Sequence, residues 1–144
     1  MDSLMMNIYF QNDVVTLSYD ADQLLGVAVW NGFLSSSEFR EAVEICLKMM
    51  DEHKLLLWLG DNRKLRAIRQ ADQDWFVEVA LPRLVAGTLR RNASVLSDDL
   101  FNRMAVEQII KRADNLGYMA LKDFDNVAAA MDWLQEPLPS QASV

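Results

Sequence analysis

The chain has little of what most nucleophilic, redox or metal chemistry needs: among 144 residues there is one cysteine, Cys46, and one histidine, His53. A lone thiol cannot close an internal disulfide, which favours a reducing, cytoplasmic location. A zinc site takes several His or Cys ligands, and one of each is too few without many carboxylates. Glycine is also scarce. Five of them, widely scattered, exclude both a G-x-x-x-x-G-K-S/T phosphate loop and a G-x-G-x-x-G turn, and there is no G-x-S-x-G nucleophile elbow. No apolar run approaches the roughly 20 residues needed to cross a bilayer. The N-terminal MDSLMMNIYF carries Asp2 and no basic cluster, unlike a signal peptide. These absences set the expectation of a non-enzymatic protein with no metal, no cofactor and no membrane insertion.

What is present is the composition of an ordinary folded domain, 51% hydrophobic and 24% charged. A chain of this length buries roughly two-thirds of its unfolded surface. The net charge of −7 opposes phosphate binding and argues against nucleic acid as a partner. One segment departs from that balance. Residues 61–96 hold four acids and seven bases, with Arg63, Lys64, Arg66 and Arg69 close together. Such a run is either a solvated basic segment or a patch that meets an anionic partner.

Periodicity orders the chain. Residues 4–10 and 14–19 read as a hairpin about Gln11-Asn12-Asp13, with Val15, Leu17 and Tyr19 alternating against Thr16 and Ser18. LLGVAVW (24–30) and KLLLWLG (54–60) are continuous apolar runs, the pattern of strands covered on both faces. Between them Ser35 and Glu38 have capping-box spacing, and Phe39, Ala42, Val43, Cys46 and Met50 recur at helical intervals. Strand, helix and strand predict a parallel, right-handed βαβ unit. A helix over 71–87 interrupted at Pro82, a strand over 93–97, a helix capped by Ser97, a strand over 118–122 and a helix from Asp125 to Glu136 complete the order. The expectation is one α/β domain over 1–136 with a mixed, mostly parallel sheet, helices around it, an N-terminal antiparallel hairpin and a frayed tail at 137–144.

In an open α/β sheet, ligands settle outside the carboxyl ends of the parallel strands. That edge gathers Asn31 and Phe33, then Asp61, Asn62 and Arg63, then Ser97, and finally Lys122 with Asp123. Asp61, Ser97 and Lys122 follow three successive strands, as in response-regulator receivers. The acidic pair that holds magnesium in a receiver has no counterpart in Val29-Trp30-Asn31-Gly32. The second helix is apolar around nearly its whole circumference: in WFVEVALPRLVAG (75–87) only Glu78 and Arg83 are charged. One face packs on the sheet. The other is covered by the chain itself, pairs in a homodimer, or lines an apolar cleft with Trp75 and Phe76 as anchors.

The order of elements, with LLGVAVWNGF, a helix and KLLLWLGDNRKL at its centre, resembles the STAS domain, the fold of bacterial anti-sigma-factor antagonists, over about residues 14–135. In those antagonists the buried strand leads into an Asp-Ser-Ser-Gly-like motif whose serine is phosphorylated by a partner kinase. Asp61 stands for the motif's Asp, but Asn62 and Arg63 follow it, and the phosphoacceptor serine is missing. The resemblance implies a regulatory or protein-interaction module without that switch, meeting a signalling protein around residues 61–75. The candidate contact residues are Asn31, Phe33, Asp61, Asn62, Arg63, Asp72, Trp75 and Phe76. The alternative is a carrier or sensor of an apolar or anionic small molecule or lipid, with a cleft beside Trp75 and Phe76 and with Arg63 or Arg69 holding an anionic head.

Overall fold

The computed structural model describes residues 6–113 and 116–139. Among them six strands form one sheet in unbroken sequence order: β1 (Asn7–Gln11), β2 (Val15–Asp20), β3 (Leu25–Phe33), β4 (Leu57–Ala67), β5 (Arg91–Val95) and β6 (Ala120–Phe124). β1, β2 and β3 pair antiparallel, and β3 to β6 pair parallel. The chain is therefore an α/β fold with a mixed sheet and an antiparallel N-terminal hairpin, as its periodicity predicts. α1 (Ser36–His53) joins β3 to β4. α2 (Gln70–Trp75), a π-helical turn (Phe76–Ala80) and α3 (Leu81–Ala86) join β4 to β5, and α4 (Leu100–Arg112) joins β5 to β6. Right-handed crossovers that always add the next strand on the same side place their helices on the same face. The order never reverses, so all of these helices share one face, and α5 (Val127–Leu134), after the last strand, covers the other.

Alternation along the strands sorts the apolar side chains into two cores. Leu17, Ala28, Trp30 and Trp58 meet Phe39, Val43 and Cys46 of α1 and Leu81 and Leu84 of α3. Leu25, Leu57, Leu59, Ala93 and Val95 point the other way, onto Ala130 and Leu134 of α5. Gly26 lies beside Trp58 across the β3–β4 pair, and the indole takes the space a side chain would need: a Cβ on Gly26 would sit 2.5 Å from Trp58 Cζ3. α1 opens with the predicted capping box. Ser35 Oγ accepts the Glu38 N–H at 3.2 Å, and the Glu38 carboxylate accepts the Ser35 N–H at 2.8 Å. His53 ends α1 stacked on Tyr19, with ring centroids 4.0 Å apart.

Several boundaries differ from the periodic reading, each for a local reason. β4 does not end at Gly60 but runs on to Ala67, so Asp61-Asn62-Arg63 is strand and not an exit loop. Three residues of β3 (Val29 to Asn31) face four of β4 (Asp61 to Lys64), a bulge that lets polar side chains sit within the ladder. β5 and β6 each begin two residues away from the expected start, at Arg91 and Ala120. The cap of α4 is Asp99, whose carboxylate accepts the Asn102 N–H at 3.1 Å. Ser97 instead donates to the Leu65 carbonyl at 3.2 Å. Pro82 does interrupt its helix. The Leu81 N–H reaches back to the Phe76 carbonyl, the wide turn that relieves the ring and the N–H missing from Pro82. Most of that helix's apolar surface is covered by the chain itself: Trp75 and Phe76 pack on Phe39, and Ala80, Leu81 and Leu84 are buried, while Val79 is exposed. Of the segment expected to fray, Leu138 packs on the α5 core and Pro137 accepts a hydrogen bond from Arg91 at 3.2 Å.

Candidate functional site

Between the sheet and the helices of the crowded face lies a cavity of ≈ 110 Å³. Its walls are apolar: Trp30 and Trp58 from the sheet, Phe39, Val43, Cys46 and Met50 from α1, Phe76, Leu81 and Leu84 from the interrupted helix, and Val106 and Ile109 from α4. Its floor is not. Asn62 of β4 and Asn92 and Ser94 of β5 line it, with Gly60 beside Ser94 in the β4–β5 ladder. Gly60 keeps the floor low, since a Cβ there would meet nothing closer than the Ala93 carbonyl at 3.7 Å.

The bulge in β4 is what aims Asn62 inward together with Leu65. Three residues apart, they would face opposite sides of an unbroken strand, yet both line the cavity. Asn92 pairs with Trp58, four residues before Asn62, so the two carboxamides stand about 13 Å apart along the strand direction at about 3.3 Å per residue. Each is only 8% exposed and makes no carboxamide hydrogen bond with the described residues, but the polar atoms keep some access to the cavity. The carboxamide fully buried without a partner among the described residues is that of Asn102 in α4, which does not line the cavity. Buried amides are normally paired, because an unpaired one costs about 1–3 kcal/mol. No charged side chain lines the cavity. Cys46 adds no charge either, since burial pushes its thiol well above the ordinary range.

The residues expected to form one surface fall into four places. Asn62 and Phe76 line the cavity. Asp72 is 1% exposed and ties α2 to α1, accepting from Ser36 Oγ at 2.9 Å and from Arg40 Nε at 3.2 Å. Trp75 flanks the same clasp, with the Arg40 guanidinium 5.4 Å from its ring centroid. Asn31 and Phe33 lie outside, at the end of β3, where the Asn31 N–H closes the hairpin onto the Val14 carbonyl at 2.8 Å and Phe33 is 74% exposed. The side chains of Asp72 and Trp75 are thus engaged between α1 and α2.

Asp61 and Arg63 satisfy each other on the opposite side of the strand from Asn62. Arg63 Nε and Nη2 donate to the two carboxylate oxygens at 2.9 and 2.7 Å, and the Arg63 N–H adds a third bond at 3.2 Å. Burial works to raise the Asp61 carboxyl. The hydrogen bonds from Arg63 and the charges of Arg63 and Lys64 outweigh it and hold the group below the usual carboxylate range. The Arg63 guanidinium is therefore occupied and does not line the cavity. Asp61, Ser97 and Lys122 do not converge as in a receiver: each has its own partner, and Lys122 Nζ lies 5.4 Å from the Phe124 ring centroid.

Other charges of the basic segment are likewise engaged. Arg83 binds Glu44 at 2.7 Å, and buried Arg91 donates to the Trp133, Glu136 and Pro137 carbonyls behind α5. Among the described residues no group of three His, Cys, Asp or Glu side chains is placed to hold a metal, and no helix is long and apolar enough to cross a membrane. The sequence reading missed Asn92 and Ser94. The alternation of Asn92 and Ser94 with Ala93 and Val95, in a strand between two others, is the signal that marks them. No family model matches the sequence and no curated protein is significantly similar to it, so the geometry of the cavity carries the functional reading.

Proposed function

We propose that the chain is a non-enzymatic small-molecule binding module, a carrier or sensor that holds its ligand between the sheet and the α1–α4 face. One observation carries this: two nearly buried carboxamides, Asn62 and Asn92, face an apolar-walled cavity with no partner among the described residues. A concave apolar pocket with a few polar groups aimed into it is the usual form of a ligand site. The cavity is somewhat smaller than the ~150 Å³ that holds benzene, which sets the scale of a guest that needs no rearrangement. Xenon tests the space directly. Under pressure it should shift the methyl resonances of Val43, Leu65 and Leu81, and native mass spectrometry of gently purified protein should show a small species released on unfolding. If xenon moves no cavity methyl and no species is carried, the reading is wrong.

The STAS-like regulatory reading has its own support, on the outer surface. Phe33 is the most exposed large apolar side chain among the described residues, and it pairs across the ladder with Ala67, next to exposed Lys64 and Arg66. An exposed aromatic near two basic residues suits a protein partner with an acidic patch. Replacing Phe33 by Ser should abolish capture of such a partner while leaving the xenon shifts unchanged. Retained capture would remove this surface from consideration.

A further inference from the structure

We infer that the cavity selects an uncharged ligand, an apolar body carrying a neutral hydrogen-bonding group such as a carboxamide or hydroxyl, and that Asn62 and Asn92 determine that choice. The inference rests on the cavity being a ligand site, and it goes further by naming what the site accepts and rejects. The lining contains no Asp, Glu, Lys, Arg or His, and its single titratable group, the Cys46 thiol, is held in its neutral form by burial. A carboxylate or ammonium entering would leave water without meeting a counter-charge, and burial of an unpaired charge is far costlier than burial of a neutral polar group. The cations nearest in sequence cannot serve. Arg63 is bound to Asp61 with its side chain turned from the cavity, and Lys64 and Arg66 are exposed and border a separate groove with Asn31, Asp98 and Asp99.

What the cavity does offer is amide chemistry. Each carboxamide has two donor hydrogens and an acceptor oxygen, and Ser94 adds a hydroxyl to the same floor. A hydrocarbon would leave these groups unpaired, while a neutral polar group satisfies them. Selectivity of this origin is large because the penalty falls on the site's own buried groups when the ligand lacks the matching atom. The carboxamides stand at separated points of the floor, so a six-atom guest meets one of them and a longer one is able to meet both.

Three probes of one shape separate the alternatives: isobutyramide, isobutyrate and 2,3-dimethylbutane, titrated against nitrogen-15-labelled protein at neutral pH. The amide should bind at least about tenfold more tightly than the hydrocarbon, shift the side-chain NH2 resonances of Asn62 or Asn92, and leave isobutyrate without measurable binding. Asn62→Leu and Asn92→Leu keep the side-chain shape, so together they should erase the preference for the amide while the hydrocarbon still binds. Each should also raise Tm, because an unpaired buried amide becomes hydrocarbon; a residue needed only for folding would lower it. If the hydrocarbon matches the amide, if isobutyrate binds comparably, or if the amide shifts residues elsewhere, the ligand class is wrong although the cavity binds. If no probe binds and xenon does not enter, the cavity reading itself has failed. The wild-type titrations and NH2 shifts decide the matter even where a variant does not fold.

Discussion

The two faces of this sheet treat their polar residues in opposite ways. On the face covered by α5 alone, the charged groups are engaged: Asp61 with Arg63, Arg91 with three carbonyls, Lys122 over Phe124. On the face covered by α1, α3 and α4, the packing is heavier, yet the Asn62 and Asn92 carboxamides border a cavity and make no hydrogen bond with the described residues. The lesson is that charge is a poor guide to the site here. Asp61, Arg63 and Arg91 are engaged within the fold, and the cavity is bordered by neutral side chains.

Four substitutions break or sharpen that contrast. The largest effect is expected on the closed face: Leu134→Ala, at a 1% exposed position, should cost about 3 kcal/mol in urea unfolding. A loss under about 1 kcal/mol would mean that the single helix is loosely seated. Next, Gly26→Ala drives a methyl into Trp58 and should cost about 2 kcal/mol. Because Trp58 borders the cavity, the same variant should weaken the xenon shifts, and unchanged shifts would show that the ring retreats elsewhere.

Asp61→Asn should cost about 1 kcal/mol at pH 7, since the Arg63 partner is half exposed. Its folded-state carboxyl lies below the unfolded value of about 3.9, so its contribution is present above that pH and is lost as pH falls through the folded value. The stability gap between wild type and Asp61→Asn should therefore close on acidification below about pH 4. A gap that stays constant into strong acid would contradict the ion pair. The smallest change is Gly60→Ala, which meets only ordinary contact distances and should alter stability by less than about 0.5 kcal/mol. It should nevertheless reduce xenon occupancy, because its methyl rises from the cavity floor.

The fold was readable from period and capping: Ser35 and Glu38 announce α1, and alternation in Val15, Leu17 and Tyr19 announces β2. The site was much less so. Gly60-Asp61-Asn62-Arg63-Lys64 has the composition of a turn, and only a bulge closed by its own Asp–Arg pair keeps it in the sheet. The rule that ligands gather at strand carboxyl ends points to the groove bordered by Asn31, Arg63 and Lys64 and not to the cavity. It depends on neighbouring crossovers diverging where the strand order reverses, and this order does not reverse. Asn92 was hidden for a third reason: it precedes the expected strand of 93–97, whereas β5 begins at Arg91, which is buried behind α5.

The wide turn at Phe76–Ala80 amounts to a single inserted residue, and its consequence is one of phase. Taken as one continuous α-helix at about 100° per residue, the inward set Asp72, Gln73, Phe76, Ala80, Leu81 and Leu84 spreads over about 180°. Subtracting one step after the turn gathers the same residues into about 120°. The all-round apolarity of WFVEVALPRLVAG is thus two ordinary stripes superimposed out of phase. The length of this segment is consequently tied to the turn: deleting one position between Val77 and Val79 would leave a continuous α-helix with Leu81 and Leu84 still toward the sheet, whereas inserting one would swing both about a quarter turn off it, removing two cavity walls without altering a single wall residue.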